Sequence, residues 1–231
     1  MRERPIVTID GPSGAGKSTV SRMLAERAGL VRLDTGAMYR GVAWAARRAG
    51  IRWSDADGLG RLCAAVRMEF RAEGGDRTLL LNGEDVGAEI RSPEISLGAS
   101  EVSAHGSVRE AMVALQRRMG ERGGVVLEGR DTGTVVFPDA DRKFFLDAQA
   151  AVRALRRFRE WGPASGRRYE EVFREVLLRD IQDSTRALSP LRVPDGAIRI
   201  DSTVRTVEEV VGEMMRHLRG AVGRSPGKVV P

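Results

Sequence analysis

The 231-residue chain has one cysteine, Cys63, and two histidines, His105 and His217. A lone thiol excludes an internal disulfide framework, and two isolated imidazoles exclude a histidine-rich metal site. Aromatic residues make up only 5% of the chain. Trp44, Trp53 and Trp161 are too scattered to form a base-stacking platform. No stretch approaches the roughly 20 apolar residues that a membrane helix needs. The N-terminus has only a short apolar run before a glycine-rich turn, so no secretory signal is expected. Lysine is also scarce. Of 38 basic residues only Lys17, Lys143 and Lys228 are lysines, leaving 35 arginines, and 32 acidic residues bring the net charge to +6. That charge suits nucleic acid or small phosphorylated substrates equally.

What is present is ordinary for a globular chain. Hydrophobic residues make up 42% and charged residues 30%, which excludes wholesale disorder, collagen and coiled coil. The length fits one large domain or a compact core with small inserts. A soluble, cytoplasmic monomer with no membrane contact and no stable nucleic-acid partner is expected.

The patterning alternates between strand and helix. Pro5 to Asp10 reads as a short buried strand, followed by a glycine-rich turn and an amphipathic helix, Ser18 to Ala28. A second short strand, Leu30 to Leu33, ends in Asp34-Thr35-Gly36. The middle differs. Arg67 to Ala72 and Thr78 to Asn82 read as strands around the turn cluster Glu73-Gly74-Gly75-Asp76, and Asn82-Gly83 marks another tight turn. This predicts an antiparallel insert at about 66–90. Helices over about 92–104 and 107–121 follow. The rhythm then resumes with strands Val125–Glu128 and Lys143–Leu146, helices Ala148–Glu160 and Tyr169–Ala187, strand Ala197–Ile200 and helix Val207–Leu218. Alternation of this kind predicts a parallel sheet with crossover helices. Residues 219–231 form a basic tail that is expected to fray.

Gly11-Pro12-Ser13-Gly14-Ala15-Gly16-Lys17-Ser18 fits G-x-x-x-x-G-K-[ST] at every fixed position, between a strand and a helix. Glycines let the backbone turn tightly and present successive N–H groups to phosphate oxygens. The helix N-terminus adds positive potential. Lys17 supplies a point charge for the β and γ phosphates, and the Ser18 hydroxyl can ligate Mg²⁺. The motif indicates a nucleoside triphosphate but not a reaction.

Three classes share such a loop. A GTPase switch normally shows an Asn-Lys-x-Asp guanine reader, which this chain lacks. A motor is normally longer, with an apolar strand ending in Asp-Glu. A kinase acting on phosphorylated acceptors needs separate arginine clusters, because it joins two polyanions and stabilises a spreading charge. Such clusters are here. Asp34 to Arg40 follows the second strand. Glu128-Gly129-Arg130-Asp131-Thr132-Gly133 follows another, and both turns are expected at the carboxyl ends of strands, facing the phosphate loop. Arg153 and Arg157 share a helical face, as do Arg179, Asp183 and Arg186. Taken singly, each such arginine fits a solvated, salt-bridged helix surface just as well.

The stretches IDGPSGAGKST, LDTGAMYR, NGEDVGAEIR, SVREAM, EGRDTGTVVFPDAD, KFFLDA, RD-x-x-D-x-x-RA and the closing DST resemble the bacterial cytidylate kinases, of the nucleoside monophosphate kinase group. The likeness runs from about Ile6 to Thr203. It implies an α/β P-loop kinase fold: core 1–34, 122–156 and 170–218, a monophosphate-binding region with its insert at about 35–121, and a short lid at 157–169, where Gly162 to Gly166 can move. It implies phosphoryl transfer from Mg-ATP to CMP or dCMP. Gly11 through Thr19 then hold the donor phosphates, with Arg153 packed on the donor base and Arg157 reaching its phosphates. Thr35, Tyr39, Arg40 and Arg130 lie against the acceptor, the two arginines on its α-phosphate. Ser100, Arg109 and Asp131 read cytosine. Arg179 and Asp183 sit near the sugar, and Arg186 near the transferred group, so Lys17, Arg157 and Arg186 carry the catalysis. Glu128 stands where many relatives have Asp, and Thr35 where Ser is common.

Two alternatives stay open on the sequence: the same fold with a different acceptor, and a nucleic-acid-binding protein that uses ATP weakly. Cys63 is expected as a packing residue in an apolar helical stretch. His105 and His217 are expected in surface or packing roles. Arg47-Arg48, Arg117-Arg118 and Arg167-Arg168 read as solvated faces.

Overall fold

The computed structural model describes residues 4–73, 76–161 and 166–222. The predicted turn at Gly74-Gly75, the middle of the expected lid and the last residues of the basic tail lie outside them.

A five-stranded parallel sheet forms the base. Its strands are β1 (Ile6–Asp10), β2 (Val31–Asp34), β6 (Val125–Gly129), β7 (Arg142–Asp147) and β8 (Ile198–Asp201), in the order β2-β6-β1-β7-β8. β1 lies at the centre, parallel to β6 with Ile6 beside Val125 and to β7 with Val7 beside Arg142. All five residues of β1 and of β6 are buried. That is why they read as continuous apolar runs: a parallel sheet is covered on both faces. One face packs Val7, Ile9, Phe144 and Leu146 against α1 (Lys17–Ala28) and α8 (Val207–Val222), through Leu24, Val211 and Met214. The other packs Ile6, Leu33 and Leu127 against Val136 and Phe137.

Three helices start at a side chain that accepts from one of their first N–H groups. Asp34 caps α2 (Thr35–Arg48) by accepting from Ala37 N at 2.8 Å. Asp55 does the same for α3 (Ala56–Ala65), and Ser92 for α4 (Pro93–Val102), which has proline in its first turn. α5 is Gly106–Gly120. α2 to α5 enclose a second core of Met38, Val42, Leu59, Ile95 and Met112, closed by Leu79 and Leu81 of a small antiparallel sheet. That sheet holds β3 (Met68–Glu73), β4 (Asp76–Leu81) and β5 (Glu84–Asp85). Asn82 (φ 51°) and Gly83 (φ 86°) join β4 to β5 as a two-residue hairpin, the turn expected for Asn-Gly. α6 (Ala150–Trp161) and α7 (Tyr169–Thr185) pack together through Ala154, Val172 and Val176.

Trp53, His105, His217 and Cys63 fill packing roles. Trp53 donates to the Ala43 carbonyl at 2.9 Å, and its ring lies where a Cβ on Gly98 would stand. His105 Nε2 meets the Trp53 carbonyl at 2.8 Å, so that nitrogen carries the proton. His217 meets the Phe144 ring edge-on. Cys63 is half-buried, and burial pushes its thiol to about 11, outside the reactive range. Arg47 and Arg48 pair with Glu94 and Glu84 at the surface.

Candidate active site

The carboxyl ends of β1, β2 and β6 open into one cleft of about 880 Å³. At its floor, β1 ends in Asp10 and runs into the phosphate loop. Gly11 has φ 150°, and a Cβ there would stand 1.9 Å from the Leu146 carbonyl oxygen, so only glycine lets the loop leave the sheet at this point. Gly14 and Gly16 also take positive φ, and Gly16 opens α1. Lys17 is buried, its ammonium donating to the Pro12 carbonyl at 2.6 Å. Burial, with Arg130 nearby, drives its pKa far down, and Glu128 and Asp183 only partly offset this. An amine so short of counter-charge is poised for an anion.

Asp10 braces the turn after β6. It accepts from Thr132 N at 2.9 Å, Thr132 Oγ1 at 2.7 Å and Gly133 N at 2.7 Å. Burial pushes its carboxyl from 3.8 to about 6 despite those bonds. The folded state thus binds this proton more readily than the unfolded chain. The stabilising contribution is complete below the unfolded value and lost as pH rises through about 6. The interval corresponds to roughly 3 kcal/mol. In urea titrations, Asp10→Asn is expected to flatten the fall in stability between about pH 4 and pH 7; parallel curves for the two proteins would contradict this assignment.

Across the cleft, charges alternate. Arg109 pairs with Asp131 in a buried contact. Arg186 lies 3.8 Å from Asp131 and 3.7 Å from Asp183, and Asp183 takes a 2.7 Å bond from Arg130 Nε. Burial would raise the Asp183 carboxyl, but Arg130 and Arg179 hold it below the usual carboxylate range. Burial lowers Arg179 below the usual arginine range, and Arg130, Arg157 and Arg40 push the same way. Among the described residues, five buried atoms in this region have no hydrogen-bond partner: Tyr39 Oη, Arg40 Nε, Arg109 Nε, Arg179 Nε and Arg186 Nη2. Buried polar atoms are normally satisfied, and the residues that carry these five all line the cleft. Burial raises the Tyr39 phenol to about 12, and the Arg109 guanidinium stands over its ring, 5.5 Å from the centroid.

The structure brings most of the expected residues together here. Ser13, Gly14, Ala15, Gly16, Lys17, Ser18, Thr19, Thr35, Tyr39, Arg40, Arg109, Arg130, Asp131, Arg157, Arg179, Asp183 and Arg186 all line the cleft. Arg157 reaches the loop, donating to Ser13 Oγ at 2.9 Å. The Thr35 hydroxyl is spent on the Glu128 carbonyl at 2.6 Å.

Four expected residues, Gly11, Pro12, Ser100 and Arg153, lie outside the cleft lining. The resemblance puts Arg153 on the donor base. Instead its guanidinium is buried behind the loop, bonded to the Ser13 carbonyl at 3.1 Å and to both oxygens of Asp180. Asp180 captures it, and the neighbouring Arg156 faces the cleft, bonded to Ser202. Ser100 lies outside the cleft lining. Its hydroxyl donates to Gln182 at 3.3 Å, while Ala99 and Ser103 of the same region line the wall.

The sequence reading also passed over Arg32. Its guanidinium meets Glu128 Oε1 at 2.6 Å and Asp34 at 3.4 Å, and Asp34 takes a 3.1 Å contact from Arg40. Burial opposes the Asp34 charge, but Arg40 and Arg32 hold its pKa below the ordinary value. Glu128 also accepts from Ser18 Oγ at 2.9 Å and Ser21 Oγ at 3.1 Å. Ser18 and Glu128 thus offer adjacent hard oxygens beside the phosphate loop. Among the described residues no group of three or more His, Cys, Asp or Glu could hold a metal alone. The pair fits Mg²⁺, which binds through one or two protein oxygens completed by phosphates and water.

A family model for cytidylate kinase matches residues 7–220. The chain belongs to the cytidylate kinase family. It is 49% identical to the cytidylate kinase of Geobacter sp. (strain M21) over 215 residues, 93% of this chain and 92% of that protein. It is 50% identical to that of Syntrophotalea carbinolica over 218 residues, covering 94% and 92%. Among solved structures, an uncharacterised protein from Eubacterium ventriosum aligns over 94% of this chain and 99% of its own, with a TM-score of 0.50 and 11% identity; that likeness speaks to the fold alone. Cytidylate kinases phosphorylate CMP at the expense of ATP, and family membership makes this chain a nucleotide-binding kinase. Among the described residues no helix is long and apolar enough to cross a membrane.

Proposed function

We propose that the cleft transfers the γ-phosphoryl group of Mg-ATP to the α-phosphate of CMP and dCMP. The observation that carries this is the alternating chain Arg109–Asp131–Arg186–Asp183–Arg130, which lines the same cleft as Lys17.

The roles follow from the chemistry of each group. The loop 11–19 and Lys17 hold the donor phosphates, and Arg157 joins them from α6. Arg156 replaces Arg153 at the donor side, and Arg153 braces the loop. Arg40 and Arg130 take the acceptor phosphate. Asp131 accepts from the cytosine amino group and Arg109 donates to its ring acceptors, a polarity that uracil reverses at C4. Ser100 would join them only on leaving Gln182. Asp183, set between Arg130 and Arg179, accepts from sugar hydroxyls. Ser18 and Glu128 would hold Mg²⁺, which supplies charge neutralisation at the phosphates when bound. The acceptor phosphate is already an anion near neutral pH, so no general base is required. Arg186 and Arg157 stabilise the charge that spreads over the transferred group. The protein works as a cytoplasmic monomer without a nucleic-acid partner.

Coupled ADP release with Mg-ATP and a panel of CMP, dCMP, UMP, AMP and GMP tests the reading. Stimulation by CMP and dCMP at least about tenfold above the others is expected, because a mismatched polar edge leaves buried groups unpaired. Turnover with another acceptor would keep the kinase and discard the cytosine pocket. A strongly salt-dependent affinity for DNA or RNA without turnover would favour a nucleic-acid role.

A further inference from the structure

We infer that Arg32 is a positioning residue of the transfer site, one that fixes the Glu128 carboxylate for the divalent cation and ties it through Asp34 to the acceptor-side Arg40. The inference rests on the proposed reaction and extends it to a residue outside the phosphate loop and the arginine clusters.

Arg32 lies on β2, an edge strand paired with β6 so that Asp34 sits beside Glu128. Its side chain is 15% exposed and that of Glu128 only 4%. Two of its nitrogens reach the same oxygen: Nε at 3.0 Å and Nη2 at 2.6 Å from Glu128 Oε1. Ser21 Oγ donates to that oxygen as well. Oε1 is therefore fully occupied, and Oε2 is left to Ser18 at the head of α1. One carboxylate oxygen is anchored and the other presented. The same guanidinium contacts Asp34 Oδ2, the oxygen that Arg40 also uses. Arg32 thus joins the carboxylate on the donor side to the arginine on the acceptor side by a continuous run of ion pairs. The outer partners of a metal-side carboxylate commonly set its orientation. Glu has one more methylene than Asp, hence one more rotatable bond to be fixed, and a rigid fork with several donors is the group that can fix it.

The charge of Arg32 has a second effect. A cation next to Glu128 weakens the field that attracts a divalent ion, so orientation is gained at some loss of metal affinity. A residue that merely supports the fold predicts that removal weakens metal binding and turnover together. A positioning residue predicts that they move apart.

The test uses the full chain with ADP and Mn²⁺, following bound manganese by electron paramagnetic resonance, alongside steady-state turnover at saturating Mg²⁺. Arg32→Leu is expected to bind Mn²⁺ about tenfold more tightly, since a nearby positive charge is gone. Its kcat is expected to fall about 10- to 100-fold, the range for loss of an outer-shell partner. Arg32→Lys keeps the charge without the fork, so Mn²⁺ affinity returns to within about threefold of wild type while kcat stays depressed. In a Glu128→Gln background, Arg32→Leu is expected to change kcat by less than about threefold, because the carboxylate it positions is absent. Unchanged or weaker Mn²⁺ binding in a folded Arg32→Leu protein overturns the inference. So does full kcat in Arg32→Lys, which decides the matter even if the leucine variant does not fold. A wild-type protein that releases no ADP with CMP would instead sink the proposed reaction, and the manganese titrations would still stand by themselves.

Discussion

Lys17→Met is expected to lower kcat by about a thousandfold or more, comparable to loss of an oxyanion-hole donor or an arginine finger. The same variant should melt no lower than the wild type, and this pairing is the informative part. In the folded protein the Lys17 ammonium is buried with one carbonyl acceptor, and burial holds its pKa far below that of an ordinary lysine. A folded-state pKa below the unfolded one means the charge destabilises the protein at neutral pH and ceases to do so only at alkaline pH. Methionine removes that penalty and keeps much of the side-chain volume. Differential scanning fluorimetry with and without Mg-ATP separates the effects: the variant should match or exceed the wild type without nucleotide and gain much less from adding it. A variant that melts early without nucleotide would show that Lys17 supports the loop rather than the reaction.

The second large effect is at Asp183. Asp183→Ala removes the carboxylate that separates Arg130 from Arg186. Breaking a buried ion pair on one side costs about 3–5 kcal/mol, and here the stranded partners also repel one another. Asp183→Asn is the milder version. It is expected to lower kcat/KM for CMP by about a thousandfold while the affinity for Mg-ADP changes by less than about threefold, since the donor loop is untouched. Equal losses for donor and acceptor would refute the assignment of Asp183 to the acceptor side. The sign of the pH dependence follows from the depressed pKa of this carboxyl. Its contribution to stability is complete above the ordinary aspartate value and is lost as the pH falls through the folded value, so the alanine variant should lack that part of the acid transition.

Legibility in the sequence tracks the locality of the interaction. The phosphate loop is encoded in eight consecutive residues, although the close approach that demands glycine at Gly11 comes from the distant Leu146 carbonyl. The Asn82-Gly83 hairpin is equally local. The strands of the central sheet were readable because burial on both faces leaves little room for polar residues. Helical spacing could place Arg179 and Asp183 on one face, and they do line one cleft. It could not say which of Arg153 and Arg156 would face that cleft. Both lie on α6, and the choice is made by Asp180 on another helix, which captures Arg153. Arg32 was hidden for the same reason: its partner Glu128 is 96 positions away, so nothing within the strand gives it a role. Ser100, given a base-reading role by the resemblance alone, has its hydroxyl turned toward Gln182 of another helix, a contact no local pattern reveals.

The buried clamp at Arg153 has a further consequence. It fastens the Ser13 carbonyl of the phosphate loop to Asp180, and Asp180 stands one residue from Arg179 and one helical turn from Asp183. The donor loop and α7 therefore hang from a single mount, to which α3 and the small antiparallel sheet, with no residue in the cleft lining, add nothing. Such a division is a modular one. The small sheet can therefore vary in sequence without disturbing the clamp that joins the phosphate loop to α7.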